Sequence, residues 1–407
     1  MVQSRVETGL LSERARNLAP SPTVAMDTRA KTLLAQGVDV VNLTAGEPDF
    51  PTVPVAAAAA HRAIDAGFTR YTASSGIVEL RQEICAKFLR DNALAYSPDD
   101  VVVTPGAKYA LYAAMQVLCD PGDEVLIPSP YWVSYPEQVK LAGAVPVFVP
   151  TREEDGFCVR AEVIGDYVTA RTKMLLLNSP CNPTGSVVPR AELEAIGELV
   201  LAHGRMVVLS DEIYESLVYG AARHDSLAAL DPALKAKTVT INGLSKAYAM
   251  TGWRVGYAAA DRAIAQAMGN LLSQTTSGIN SIAQKAAVAA LRDGQADVQV
   301  MAEEFARRRE YVLARLAGMP GVRCVPPDGA FYVFPNVSSA FGRTTPAGVR
   351  LTDIGTLGLQ LLDEAGVATV PGDGFGVTDH IRISYAASLS TLERGCDRLE
   401  EFFRGLR

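Results

Sequence analysis

"MLLLNSPCNPTGSVVPRAELEAIGELVLAHGRMVVLSDE", residues 174–212, joins two apolar runs through a turn and an amphipathic stretch. The runs "MLLLN" (174–178) and "MVVLSDE" (206–212) are apolar almost to their last residues, which is typical of parallel strands covered on both faces. The stretch between them, "RAELEAIGELVLAH" (190–203), has helical spacing. The segment therefore predicts a strand–helix–strand unit of a parallel sheet.

The same rhythm extends from about residue 100 to residue 260. Further strand-like runs are "VVVT" (101–104), "EVLIP" (124–128), "VPVFV" (145–149), "TVTING" (238–243) and "RVGYAAA" (254–260). Helix-like stretches such as "KYALYAAMQVL" alternate with them. We therefore predict an α/β fold whose large domain holds a mostly parallel seven-stranded sheet.

The two ends of the chain have a different pattern. The first 49 residues contain a helix-like "AMDTRAKTLLAQG", ending at Gly37, and a short strand, "VVNL". Beyond residue 290, a long helical pattern precedes short strands around "FYVFPNV", "VATVPG" and "HIRISYA". We expect an N-terminal arm and part of a small α+β domain over 1–49, the large domain over 50–290, and the rest of the small domain over 291–407.

Composition narrows the class of protein. The 407 residues have a formal net charge of −7 and no Lys/Arg-rich block, which argues against nucleic-acid binding and favours small-molecule partners. Six cysteines stand singly without a C-x-x-C pair, so we expect no disulfide framework, no zinc site and a reducing cytoplasm. The N-terminus lacks a signal-peptide core, and no apolar run approaches the roughly 18 residues that span a bilayer.

Polar residues follow several predicted strands. In "TPGAKYALY" (104–112) a strand gives way to a helix, whose free N–H groups could bind an anion, although a turn glycine alone would explain the sequence. "NSPCNPTG" (178–185) puts Asn182 at the carboxyl edge of the sheet, where open α/β folds bind ligands, although turn chemistry explains its prolines. Asp211 ends a buried strand and needs a cation or hydrogen-bond donors, or else caps a helix.

"NGLSKAYAMTGWRVGY" (242–257) sets Lys246 and Arg254 among small and aromatic residues. Both could serve only structure, the lysine by capping a carbonyl and the arginine by pairing with an acid. A lysine amine with apolar neighbours, however, has a lowered pKa and becomes a nucleophile or base. Arginine prefers planar or bidentate partners such as phosphate. The pair suggests a cofactor with both a carbonyl and a phosphate.

"GLSKAYAMTGWRVG" resembles the lysine signature of class I aminotransferases at each constrained position. Other stretches follow in family order over roughly residues 20–405: "NLTAGEPDF" (42–50), "YTASSGIVELR" (71–81), "PGAK" (105–108), "SPYWVSYP" (129–136), "NSPCNPTG", "SDEIYE" and "IRISYA" (381–386). The chain is most similar to the bacterial aspartate aminotransferase branch of fold-type I pyridoxal-phosphate enzymes. The resemblance implies pyridoxal 5′-phosphate as cofactor.

The resemblance also implies roles for individual residues around the cofactor. Lys246 forms the Schiff base with the cofactor aldehyde and then carries the proton between substrate and cofactor. Asp211 pairs with the pyridine nitrogen, Asn182 and Tyr214 contact the phenolic oxygen, and Trp132 stacks on the ring. The phosphate is bound by Arg254, Ser245 and the backbone of Ala107 and Lys108.

Substrate contacts and assembly come from the same resemblance. Arg382 clamps the substrate α-carboxylate, beside Gly46 and Asn182, and Lys108 binds a distal carboxylate. Lys108 matters because "LLSQTTSGIN" (271–280), which we predict to be a loop, lacks the arginine that another branch uses for this purpose. Tyr71 reaches the phosphate of a neighbouring subunit, which implies a homodimer with shared sites. Thr23, in "SPTVA" (21–25), keeps prephenate open as a substrate.

The favoured function is amino transfer between aspartate or glutamate and 2-oxoglutarate. Within the same cofactor class, an aminotransferase for prephenate, alanine, methionine or aromatic amino acids, or a lyase on the same fold, stays open. A nucleotide-dependent oxidoreductase would need a G-x-G-x-x-G or P-loop motif, and "GDGFG" (372–376) fails that spacing. A regulator on this fold would need a DNA-binding module, and fewer than about 30 residues precede the core.

Overall fold

A computed structural model describes residues 10–20 and 22–407 of the chain. The first nine residues of the predicted N-terminal arm, and Ser21 of "SPTVA", lie outside the described residues. The strands are β1 Val41–Asn42, β2 Val101–Thr104, β3 Glu124–Ser129, β4 Val145–Pro150, β5 Thr172–Asn178, β6 Val207–Asp211, β7 Thr238–Gly243, β8 Gly256–Ala259, β9 Tyr332–Val333, β10 Val367–Ala368, β11 Val370–Pro371 and β12 Ile381–Ser384.

The α-helices occupy most of the remaining chain. They are α1 Glu13–Arg16, α2 Pro22–Ala35, α3 Pro54–Asp65, α4 Val78–Asn92, α5 Ala107–Leu118, α6 Tyr135–Leu141, α7 Ala161–Asp166, α8 Arg190–Ala202, α9 Pro232–Lys237, α10 Arg262–Thr275, α11 Ser281–Asp293, α12 Gln295–Ala317, α13 Ile354–Asp363 and α14 Leu389–Gly405. Short 3₁₀ helices lie at Pro98–Asp100, Glu153–Asp155, Leu227–Ala229, Ser338–Ala340 and Gly372–Phe375.

The predicted seven-stranded sheet is present. Its strand order is β2-β8-β7-β6-β5-β3-β4. All neighbouring pairs are parallel except those of β8, which runs antiparallel to both β2 and β7. The prediction of an α/β fold with a mostly parallel sheet is therefore confirmed.

The strand–helix–strand unit at residues 174–212 shows why its strands are apolar throughout. Along β5, Met174 and Leu176 pack into one hydrophobic cluster, with α5 and α10. Leu175 and Leu177 pack into another, with α8. Because successive side chains of a strand point to opposite faces, both faces of this strand are buried under helices. An alternating strand would place polar groups under one of them.

Two smaller sheets lie outside the large one. β1 pairs in parallel with β10, so the N-terminal "VVNL" joins the C-terminal part of the chain. β12 lies between β11 and β9 and is antiparallel to both. The pairing of β1 with β10 thus joins strands from the two ends of the chain.

Two local predictions were wrong. α10 continues to Thr275, so the first half of "LLSQTTSGIN" is helical; Leu272 is fully buried and extends the apolar face of that helix. β8 begins at Gly256, two residues later than predicted, because Arg254 has a φ of +55° and lies in a turn. Among residues 10–20 and 22–407, no helix combines the length and the apolarity that a membrane span requires.

Candidate active site

A cavity of about 460 Å³ opens at the carboxyl ends of the central strands. Most of the site residues predicted from the sequence line this cavity, although they are far apart in the chain. Those that line it are Thr23, Gly46, Ala107, Lys108, Trp132, Asn182, Asp211, Tyr214, Ser245, Lys246, Arg254 and Arg382. This is the edge at which open α/β sheets bind ligands.

Lys246 follows β7, and its amine lies inside the cavity. The ammonium donates a hydrogen bond to the backbone carbonyl of Gly46. It lies 5.9 Å from the ring centre of Tyr214 and 5.7 Å from that of Phe331. Burial, with a further contribution from the charge of Arg382, lowers the pKa of this amine to about 8. Lys246 therefore has the apolar, low-pKa environment that a nucleophilic lysine needs.

Asp211, the last residue of β6, is 3% exposed. Burial raises the pKa of its carboxyl group to about 6, although two hydrogen bonds oppose the rise. The Tyr135 hydroxyl donates to Oδ2 at 2.8 Å, and the Ile213 N–H donates to Oδ1 at 3.3 Å. No lysine or arginine within the described residues forms an ion pair with this carboxylate. The site thus holds a buried anion that would be stabilised by a cationic ligand.

Backbone donors and Arg254 meet at another part of the cavity. α5 begins at Ala107 with Gly106 as its N-cap, and no side chain caps it. Arg254 donates to the carbonyl oxygens of Thr251 at 2.9 Å and Pro105 at 3.3 Å. Free helix N–H groups beside a guanidinium make an anion-binding site.

Gly106 makes this approach of Arg254 possible. Its φ is +85°, and a Cβ there would lie 2.3 Å from Nη2 of Arg254. Glycine is therefore required at this position for both its backbone conformation and its lack of a side chain.

Arg382, on β12, reaches the cavity from the smaller sheet and is 2% exposed. Nη1 donates to Asn182 Oδ1 at 3.0 Å, and Nη2 donates to the carbonyl of Thr44 at 2.9 Å. The guanidinium carbon lies 4.4 Å from the ring centre of Tyr332. Nε has no hydrogen-bond partner among the residues that the structure describes. Burial lowers the pKa of this arginine, and a carboxylate partner would relieve that cost.

Lys108 supplies another cation at the cavity, one residue after Ala107. Its ammonium lies 4.7 Å from the ring centre of Trp132. Partial burial, followed by the charge of Arg254, lowers its pKa. Lys108 and Arg382 thus present two positive charges to one cavity.

Comparison with known proteins identifies the family. Residues 38–399 match the family model described as aminotransferase class I and II. The chain is 50% identical to an aspartate aminotransferase of Geobacillus stearothermophilus over 392 residues, which cover 96% of this chain and 98% of that protein. The chain belongs to the class I and II aminotransferase family.

Other relatives agree with this assignment. An aspartate/prephenate aminotransferase of Cereibacter sphaeroides is 46% identical over 97% of this chain and 99% of that protein. The structure of the Thermus thermophilus aspartate aminotransferase with maleate superposes with a TM-score of 0.90, at 43% identity, and covers 96% of this chain and 99% of that one. The fold prediction and the family resemblance are both confirmed.

Tyr71 is the one predicted site residue that the cavity of this aminotransferase does not include. It is 96% exposed, so it contributes nothing to the pocket of its own chain. The predicted phosphate contact of Tyr71 is therefore not made in the cavity of its own chain.

Several cavity residues of this aminotransferase were not foreseen as site residues. Tyr135 donates to Asp211, and the Tyr332 hydroxyl lies 2.9 Å from that of Tyr214. Asn178 donates from Nδ2 to the Asp211 carbonyl at 3.0 Å and accepts from the Asn182 N–H at 2.8 Å. Tyr135 and Asn178 stand in motifs quoted for the resemblance, "SPYWVSYP" and "NSPCNPTG", which was the only signal available for them. Tyr332, in "FYVFPNV", looks like an ordinary strand residue.

Proposed function

We propose that this aminotransferase moves an amino group between L-aspartate or L-glutamate and 2-oxoglutarate with pyridoxal 5′-phosphate as cofactor. The observation that carries the proposal is the shared cavity, in which Lys246 and Asp211 lie with two substrate-side cations, Arg382 and Lys108. A substrate with two carboxylates and one amine matches those charges. The names of the relatives, and the maleate in the Thermus thermophilus structure, support a dicarboxylic substrate.

The residues present fit the cofactor. An anion site formed by Arg254 and the uncapped start of α5 suits a phosphate group. The buried Asp211 carboxylate suits a protonated ring nitrogen, and the low-pKa amine of Lys246 suits an aldehyde. When bound, pyridoxal 5′-phosphate supplies an aldehyde that links to amines and a ring that withdraws electrons from the substrate Cα.

Four groups would hold the phosphate: Arg254, the Ser245 hydroxyl and the N–H groups of Ala107 and Lys108. Ser245 is 8% exposed and lines the cavity. Gly243 stands where another branch of the family has a phosphate-binding serine, so we assign that contact to Ser245. Arg254 adds the planar fork that suits phosphate oxygens.

Asp211 would hold the proton on the ring nitrogen. Its pKa of about 6 leaves the carboxyl group mostly ionised at pH 7 to 8, so it can accept a hydrogen bond from a cationic N–H. Tyr135 keeps one oxygen fixed, because burial raises the pKa of its phenol well above the ordinary value and the proton stays on the tyrosine. Asp211 therefore offers a fixed negative charge to the ring nitrogen, and the proton would stay on that nitrogen.

Lys246 would act first as nucleophile and then as proton carrier. With a pKa of about 8, about a tenth of the amine is neutral at pH 7 and about half at pH 8, whereas an ordinary lysine is almost entirely charged. With a substrate in the cavity, Nζ would take the proton from the substrate Cα and later return it. Gly46 accepts a hydrogen bond from Nζ and holds the amine within the cavity.

Tyr214, Asn182 and Trp132 would orient the cofactor ring. Burial raises the pKa of Tyr214 well above its ordinary value, so its hydroxyl remains a hydrogen-bond donor. Tyr332 shares a hydrogen bond with that hydroxyl and fixes its position. Asn182 is held on both sides, by Asn178 and by Arg382.

Arg382 would bind the α-carboxylate. Its stacking on Tyr332 and its bonds to Asn182 and Thr44 fix the guanidinium plane before a substrate arrives. A preorganised fork loses little entropy when it binds a carboxylate. Lys108 would bind the distal carboxylate of aspartate or glutamate.

A panel of amino donors with 2-oxoglutarate as acceptor tests the proposal. Aspartate should give the highest kcat/KM in this panel, with stoichiometric oxo-acid product. Glutamate is assayed with oxaloacetate instead, because its own product is 2-oxoglutarate, and should match aspartate. Alanine, methionine or aromatic donors as the best substrates would refute the dicarboxylic assignment. Product formation without 2-oxoglutarate would indicate a lyase.

Prephenate is the second candidate substrate. Thr23 lines the same cavity, and a relative at 46% identity is an aspartate/prephenate aminotransferase. Prephenate also carries two carboxylates, so Arg382 and Lys108 would serve it equally. Glutamate-dependent conversion of prephenate, compared between wild type and Thr23→Val, tests this use of the site; conversion by wild type that Thr23→Val leaves unchanged would exclude Thr23.

We also propose a homodimer in which Tyr71 contacts the phosphate in the neighbouring subunit. The exposure of Tyr71 outside its own cavity supports this assignment. The domain division at 1–49, 50–290 and 291–407 and the cytoplasmic location stay proposals as well. The pairing of β1 with β10 supports the domain division, and six free cysteines support the cytoplasmic location.

A further inference from the structure

A buried charged cluster lies behind Asp211. Glu212 is the next residue, and its side chain turns away from the cavity to the side of Ser210, which donates to Oε1 at 2.8 Å. The glutamate side chain is 1% exposed. The Ser226 hydroxyl donates to Oε2 at 2.6 Å, and His224 Nε2 lies 3.1 Å from the same oxygen.

A second ion pair completes the cluster. Lys87, on α4, pairs with Glu215, and Asn92 donates to Glu215 at 2.6 Å and to Ser226 at 2.9 Å. Asp91 approaches Lys87 from the surface side at 3.9 Å. Lys87 is thus the cation for Glu215, and His224 is the cation available to Glu212. Because each of these two glutamates already has a cationic partner in the protein, we propose no metal ion in this cluster.

The His224 side chain is 8% exposed, and its Nδ1 has no partner among the residues that the structure describes. Its contact with Glu212 is therefore the one hydrogen bond of the ring within that part of the chain. Burial alone would raise the pKa of Glu212 and lower that of His224. Their mutual attraction prevails, so the pKa of Glu212 is lowered and that of His224 is raised.

The orientation of this ion pair matters for the active site. Glu212 directly follows Asp211 in the chain, and besides burial its carboxylate charge helps to raise the pKa of Asp211. Glu212 therefore adds negative potential at the Asp211 carboxylate. In a buried environment such a potential is only weakly screened.

We propose that Glu212 and His224 form a positioning pair for Asp211, which fixes the end of β6 and strengthens the attraction of the Asp211 carboxylate for a protonated cofactor nitrogen. The inference rests on the proposed cofactor role of Asp211. The pair touches neither substrate nor cofactor and acts through Asp211.

Glu212→Gln tests the charge separately from the shape. The glutamine amide can keep the hydrogen bonds to Ser210, Ser226 and a neutral His224, so the cluster stays satisfied. In the cofactor-free protein, NMR should find His224 titrating at least about one pH unit lower in the variant than in wild type. The chain has four histidines, so His224→Gln assigns the resonance.

Cofactor binding provides the second readout. We expect Glu212→Gln to raise the dissociation constant of pyridoxal 5′-phosphate about three- to tenfold. The visible absorption of the bound cofactor changes with pH, and we expect the midpoint of that change to fall by about half a pH unit. Ser226→Ala is the matched control, because it disturbs the same cluster without changing charge. It should lower the melting temperature and leave the midpoint in place. If Glu212→Gln fails to fold, the double variant with His224→Gln removes the same charges and should give the same shifts.

The outcomes separate the two proposals. A wild-type protein that develops no visible absorption with the cofactor would overturn the proposed function and this inference together. This inference alone would be overturned if wild type binds the cofactor normally and Glu212→Gln changes neither quantity. That outcome means a dissociation constant changed by less than twofold and a pH midpoint left in place. A Ser226→Ala variant whose midpoint moves as far as that of Glu212→Gln would also overturn this inference alone.

Discussion

Lys108→Met should reduce the preference of the enzyme for dicarboxylic substrates and spare its activity on alanine. Methionine has nearly the shape of the lysine stem, so it keeps the contact with Trp132 and removes the charge 4.7 Å from that ring. Arg382 remains to bind the α-carboxylate of every substrate. Only substrates with a distal carboxylate lose a partner.

The size of the effect follows from the position of the ammonium. A hydrogen bond to a charged group contributes about 1.5 to 3 kcal/mol when it is well buried. Lys108 is partly open to solvent, which screens the interaction, so we take about 1 to 2 kcal/mol. That range corresponds to a fall of about 5- to 30-fold in kcat/KM for aspartate and glutamate.

Steady-state assays measure the effect, with 2-oxoglutarate as acceptor for aspartate and alanine and with oxaloacetate as acceptor for glutamate. The kcat/KM for alanine should change by less than about twofold. Lys140→Met, at a half-exposed lysine paired with Glu137 outside the cavity, controls for loss of a surface charge. Equal losses for all three donors would show instead that Lys108 serves the phosphate and not the substrate.

Three further predictions test other parts of the site. Arg382→Lys should lower kcat/KM for every amino donor by about 10- to 100-fold, because a point charge replaces a fixed fork; a loss confined to aspartate and glutamate would contradict this. Gly106→Ala should weaken cofactor binding more than tenfold by displacing Arg254, whereas Gly122→Ala, with a similar φ of +88° and no atom within 4 Å of its added Cβ, should cost only stability. Equal cofactor affinity in both variants would exclude the steric explanation. Cofactor-free Asp211→Asn should be more heat-stable than wild type at pH 8, by up to about 3 kcal/mol, because burial raises the pKa of the Asp211 carboxyl group to about 6. Because the raised pKa means that wild type regains this stability as it binds a proton, the gap should narrow as the pH falls below about 6; a gap independent of pH would contradict the assignment.

The sheet could be predicted from the sequence because strands that are buried on both faces consist of consecutive apolar residues. Met174, Leu175, Leu176 and Leu177 are all apolar because helices cover both sides of β5. Boundaries were less predictable where a side chain serves a site. Arg254 reads as the start of a strand, yet its φ of +55° puts it in the turn from which it contacts Pro105 and Thr251.

Apart from Tyr71, the residues that the resemblance named lie together in one cavity, whereas their supporting residues escaped prediction. Tyr135 and Asp211 are 76 positions apart, and Tyr214 and Tyr332 are 118 apart. Nothing local in a sequence records such a contact, and a tyrosine on an apolar strand has the same appearance whether its hydroxyl meets a solvent molecule or another tyrosine. The charge pairing behind Asp211 was hidden for the same reason, since Lys87 and Glu215 belong to separate segments.

Borohydride reduction of the cofactor-loaded protein, followed by peptide mass spectrometry, directly tests whether Lys246 is the residue that binds the cofactor aldehyde. We expect loss of the visible absorption and one stable pyridoxyl adduct, on Lys246. A major adduct on Lys108 or on another lysine, or a Lys246→Ala variant that keeps both the reducible absorption and normal turnover, would contradict this assignment.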